Sequence, residues 1–148
     1  MKKKIASFLG CGLILLISIV VMPLKAYASN GATLFQFRSY MPGEGNCEGV
    51  AWSAGKSLGE QAYASWDARK GMMWVGIGSK VYQSTFQRTE ANRIKVVEAD
   101  FGDVHVVISI PQQATYDAGA YPVGTLELLS NSSNKSYGRI DVSVGEAC

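Results

Sequence analysis

From residue 33 onward the apolar side chains recur mostly at every second position, in short runs broken by glycine. Such alternation places one set of side chains on a core face and the other toward solvent, and it predicts strands. Residues 33–40 alternate around Phe35 and Phe37, and residues 72–77 form an apolar run between Gly71 and Gly78. Residues 80–86 are rich in β-branched and aromatic types. Residues 93–99 and 104–110 flank Phe101-Gly102-Asp103, which has the make-up of a hairpin turn. Residues 121–129 and 137–144 flank a polar loop over 130–136, and residues 49–53 form one shorter piece. The count is about seven strands, spaced as in a sandwich or a barrel.

One stretch departs from the alternation. Ser57 and Glu60 have the spacing of a helix capping box, Leu58, Ala62 and Trp66 recur at helical spacing, and Arg69-Lys70-Gly71 reads as a helix stop. The expected helix runs over residues 58–70, although Gly59 weakens it. The fold class expected is therefore mainly β: an antiparallel, immunoglobulin-like β-sandwich or a small barrel, with one short helix.

Composition changes this picture only at the N-terminus. The first 28 residues hold four of the 14 basic groups and none of the 12 acidic ones, so the remainder carries ten basic against twelve acidic residues, a net −2. The excess positive charge of the whole chain thus belongs to that segment and is no argument for a nucleic-acid partner. Lys2, Lys3 and Lys4 precede an apolar run that ends before Ala26-Tyr27-Ala28. This is the layout of a secretory signal peptide cleaved after Ala28, leaving one domain over residues 29–148. A retained membrane anchor is the alternative, since residues 5–24 approach the length that spans a bilayer. The expected location is secreted, periplasmic or at the cell surface, with no membrane contact after cleavage.

Cleavage would leave Cys47 and Cys148 as the two remaining cysteines. An even number in an oxidising compartment predicts a disulfide between them. Closing a loop of about 100 residues is worth roughly 4.7 kcal/mol in the chain-entropy account. A pair of free thiols or a metal site is the rival reading, made poor by two cysteines this far apart, a single histidine and no Cys-x-x-Cys; no cofactor is expected.

The chemistry-bearing residues are few. His105 lies out of phase with Val104, Val106, Ile108 and Ile110, so it faces away from the core, as does Asp103. A triad through Ser109 can be drawn, but three members on one strand lack the exposed nucleophile and oxyanion hole that acyl transfer requires. Glu98, Asp100 and Asp103 gather at a turn, where carboxylates commonly serve the backbone. Phosphate-binding glycine loops and metalloprotease or hydrolase motifs are absent from the sequence. Arg69, Lys70, Arg88 and Arg93 form either a basic patch or scattered solvated charges. Trp66 and Trp74 read as core. Trp52 stands in a polar, glycine-rich stretch and, if exposed, is the best single ligand contact.

Ile108-Ser109-Ile110-Pro111, the Asp117-Ala118-Gly119-Ala120-Tyr121 step and the ending Val142-Ser143-Val144-Gly145-Glu146-Ala147-Cys148 together resemble small chaperone-usher fimbrial subunits, tip adhesins or invasins. That resemblance implies an immunoglobulin-like sandwich lacking a strand, completed first by a periplasmic chaperone and then by a neighbouring subunit. The resulting expectation is a non-catalytic exported binding or surface-structure protein with a protein or glycan partner, a fimbrial subunit being its most specific form. A self-sufficient secreted effector, inhibitor or toxin-like binding subunit is the alternative, and a small secreted hydrolase is third.

Overall fold

A computed structural model describes residues 32–38, 48–112 and 121–147. The fold is mainly β. Ten strands occur among the described residues: β1 (Phe37–Arg38), β2 (Glu48–Ser53), β3 (Gln61–Ala62), β4 (Ala64–Asp67), β5 (Met72–Ile77), β6 (Lys80–Ala91), β7 (Ile94–Phe101), β8 (Val104–Pro111), β9 (Val123–Ser130) and β10 (Ser136–Ala147). Eight of them form a closed antiparallel barrel in the order β10-β2-β4-β5-β6-β7-β8-β9, while β1 and β3 pair separately.

Closure depends on two twelve-residue strands that change partners midway. Residues 80–85 of β6 pair with β5, and residues 86–91 pair with β7. Likewise β10 pairs with β9 up to Ser143 and with β2 from Val142 to Ala147. A strand that passes from one sheet to the next turns the corner and leaves no unpaired edge in the ring.

The hairpin expected at Gly102-Asp103 is present, with Phe101 opposite Val104 and Gly102 at φ +72°. A second two-residue turn joins β6 to β7, where Asn92 and Arg93 both take positive φ, as a twist-matched hairpin turn requires.

Register and burial define the barrel interior. Ala51, Ala64, Trp66, Met73, Val75, Val97, Ala99, Val106, Ile108, Leu126, Leu128, Val142 and Val144 are all buried in one cluster. Trp66 lies directly opposite Gly49, and a methyl group added to that glycine would sit 1.8 Å from the indole. The missing side chain on β2 is therefore what makes room for the largest side chain on β4. At one end of the barrel the inward positions turn polar. Lys95 and Arg88 share the inward phase of Val97 and Phe86, and Glu146 shares that of Val144. The Lys95 ammonium meets the Glu146 carboxylate. Their strands, β7 and β10, are not neighbours, so this ion pair crosses the interior. Arg88 adds contacts to Glu90 at 3.0 Å and to Glu146 at 4.0 Å.

The helix expected over residues 58–70 is not formed. Residues 64–67 are strand β4, paired with β2 on one side and β5 on the other. The helical spacing of Leu58, Ala62 and Trp66 is coincidental, because Trp66 points into the barrel while Leu58 and Ala62 cover Val50 and Trp52 on its outer wall. Glu60, the supposed cap residue, instead pairs with Arg38 at 3.2 Å. Without β4, the facing edges of β2 and β5 would stay open, and that pairing outweighs local helical preference.

Candidate functional site: a groove on the barrel wall

The outer wall where β2, β10 and β9 meet carries a second apolar cluster of Val50, Trp52 and Ala62, with Leu58 against it. Trp52 is 1% exposed, so the condition under which it would serve as a ligand contact is not met. Burial follows from the loop after β2. Lys56 N–H donates to Ser53 O at 3.2 Å, Gly55 takes φ +69°, and the loop folds back over the indole. The indole Nε1–H donates to the Lys56 carbonyl at 2.8 Å, so the one polar atom of Trp52 is satisfied. The Gly55 amide donates to the Ser143 hydroxyl at 3.1 Å and ties the same loop to β10.

What reaches solvent here is Tyr121. Its ring stands edge-on to Trp52, with centroids 4.8 Å apart and an interplanar angle of 80°. Pro122 beside it is buried, and its carbonyl accepts from Val144 N–H at 3.0 Å, which fixes the approach of β9 to β10. Gly145 lies beneath both rings, and a methyl group there would come within 3.3 Å of each. Tyr121 is 46% exposed and Val123 50%. Together with Gly55, Lys56, Ser57, Leu58 and Ser143 they line a groove of about 500 Å³. That volume lies within the range of small-ligand sites.

The other candidate residues are placed as follows. His105 faces outward, as its phase predicted, and its two ring nitrogens are taken up by carboxylates: Nδ1 by Asp100 Oδ1 at 2.8 Å and Nε2 by Glu98 Oε2 at 3.3 Å. These three border a crevice of about 140 Å³ with Ser84, Thr85 and Gln87. Asp103 stands apart in its turn, where its carbonyl accepts from Asn131 N–H at 3.0 Å. Trp66 is core, whereas Trp74 is half-buried on the outer face of β5.

The suggested basic patch is not assembled. Lys70 pairs with Asp67, and Arg88 contacts Glu90 and Glu146. Asp67 is itself buried, and burial acts to raise its pKa. The amides of Lys70 and Arg69, with the Lys70 ammonium, outweigh that and hold the carboxyl below its usual range. Among the described residues no group of three or more histidine, cysteine, aspartate or glutamate side chains is arranged to hold a metal ion. Cys47 and Cys148 lie outside the described residues, as does the Ala28 cleavage site.

Sequence reasoning missed Tyr121, Val123, Lys56 and Ser143 as groove residues. A signal for two of them existed, because Tyr121 and Val123 are out of phase with the buried Leu126 and Leu128 and so had to present apolar surface outside. No protein-family model, curated protein or solved structure matches the chain.

Proposed function

We propose that this is an exported, non-catalytic binding protein that folds without a partner strand and binds its ligand in the Tyr121–Val123 groove. The observation that carries this reading is an aromatic side chain left half-exposed yet held in place by a buried tryptophan. A rigid exposed aromatic contributes contact area without the cost of ordering it on binding. The sequence features of residues 1–28 support export through cleavage after Ala28. Glu48 and Ala147, the chain neighbours of Cys47 and Cys148, are register partners across β2 and β10. That juxtaposition supports the Cys47–Cys148 disulfide and, with it, an oxidising destination.

Ring closure favours the self-sufficient form over a fimbrial subunit. Each strand of the barrel has two neighbours from its own chain, and β1 pairs with β3 rather than extending as a donor. A donated strand would need an open edge, which this ring does not offer. The engagement of both His105 nitrogens by Asp100 and Glu98 supports the non-catalytic reading, since neither nitrogen is directed at a nucleophile.

The test is to express the full chain with its leader and recover the exported product. The expected result is a protein beginning at Ser29, monomeric by light scattering, that melts in one cooperative transition and loses its ligand on Tyr121→Ala. A chain that stays in the cytoplasm, aggregates unless a second protein supplies a strand, or binds unchanged after Tyr121→Ala would overturn the reading.

A further inference from the structure

We infer that the occupant of the Tyr121 groove is a short acidic saccharide; this rests on the reading of that groove as the binding site. Four features of the groove select this chemistry. The first is the Tyr121 ring, which is edge-on to Trp52 and cannot collapse inward because the indole fills the space behind it. A pyranose presents a face of polarised C–H groups, and such a face docks on an aromatic ring through dispersion and through attraction to the ring's negative surface.

The second is the hydroxyl of Ser57, an exposed residue lining the same groove, which can exchange hydrogen bonds with sugar hydroxyls. The third is charge. Lys56 is the single charged residue among the described residues that line the groove, and no carboxylate lines it. The bond from Trp52 to its carbonyl holds the Lys56 backbone at the groove, and the residue is exposed to solvent. A cation with no anionic neighbour among the groove residues selects a ligand carrying a carboxylate, sulfate or phosphate.

The fourth is size. Seven of the described residues line the groove, against the roughly 20–30 residues a side of a standard protein interface. A cleft of about 500 Å³ suits a small ligand instead.

The test uses the exported protein on an array of neutral, sialylated, uronylated, sulfated and phosphorylated oligosaccharides. It is followed by calorimetric titration of trigalacturonate against its neutral counterpart galactotriose. The indole N–H resonance of Trp52 reports the site directly, because that group bonds to Lys56. Expected are retention of acidic glycans and a shift of the Trp52 indole signal on binding. Tyr121→Ala should weaken binding about tenfold or more, while Tyr121→Phe retains it. Lys56→Ala should lose the preference for acidic over neutral sugars. If Tyr121→Ala does not fold, Lys56→Ala on the exposed loop still decides.

Retention of no glycan, equal binding of neutral and acidic sugars, or an unmoved Trp52 signal overturns the inference. A polypeptide ligand lost on Tyr121→Ala overturns the saccharide and leaves the groove reading standing. A glycan still bound by Tyr121→Ala, with Trp52 unmoved, overturns both.

Discussion

The ring of Tyr121 meets the buried indole of Trp52 edge-on at 4.8 Å, so that one aromatic is presented to solvent by another that is not. Gly145 is the position that permits this, because it is bare where the two rings meet. Replacing Gly145 with valine should push Tyr121 outward and weaken ligand binding about as much as Tyr121→Ala does. The closed barrel should meanwhile keep a cooperative melt. Near-ultraviolet circular dichroism, which reads aromatic packing, should lose intensity in this variant while the far-ultraviolet spectrum holds.

Gly49→Ala should destabilise the protein by about 1–3 kcal/mol, since the new methyl group would overlap the Trp66 indole and neither can leave the packed interior easily. The compensating pair Gly49→Ala with Trp66→Leu should recover part of that loss. Denaturant unfolding of the two single variants and the double variant measures the coupling.

The ion pair across the barrel end should behave as a unit. Only 14% of the Lys95 side chain and 21% of that of Glu146 are exposed, so Glu146→Gln should cost about 1–3 kcal/mol by leaving the lysine unpaired. Removing both charges together in Lys95→Met with Glu146→Leu should cost less than the single change. A double-mutant cycle in low salt gives the comparison.

Asp67 links stability to acid. Its folded pKa lies below its ordinary value of 3.8, so the unfolded chain binds the proton more readily. The stabilisation it provides is complete above the unfolded value and is lost as pH falls through the folded one. Wild-type protein should therefore lose melting temperature below about pH 4. Asp67→Asn should be less stable at neutral pH and should lose less of its melting temperature on acidification. Thermal melts at pH 6 and pH 3 separate the two.

Reduction should loosen the junction of β2 and β10. If Cys47 and Cys148 are bridged beyond the Glu48–Ala147 pair, a reductant should lower stability by about 2–5 kcal/mol. Thiol-specific labelling of the unfolded, unreduced protein should then find no free cysteine.

Much of the barrel was legible in the chain. Alternation located the strand over residues 72–77 without error and the strands from 104 and 121 to within two residues, because a strand with one buried face must repeat at every second position. The same parity put His105 outside and Val106 inside. It also ended β6 too early. Residues 87–90 are exposed and polar on both phases, so nothing in their composition marks them as strand; only pairing with β7 does.

What the sequence by itself determined is the class of this protein: strands, most of their limits, the turn at Gly102 and the inward set of apolar residues. Each of these depends on neighbours within a few positions, where steric and hydrophobic preferences act directly. Whether the strands close into a ring, whether residues 64–67 join them or coil, and which aromatic faces solvent were decided by partners up to about ninety residues away, as with Trp52 and Ser143 in register across β2 and β10. Trp52 looks like a surface residue in its local string and becomes core only when the loop from Gly55 to Leu58 folds over it. That burial is what hands the exposed position to Tyr121.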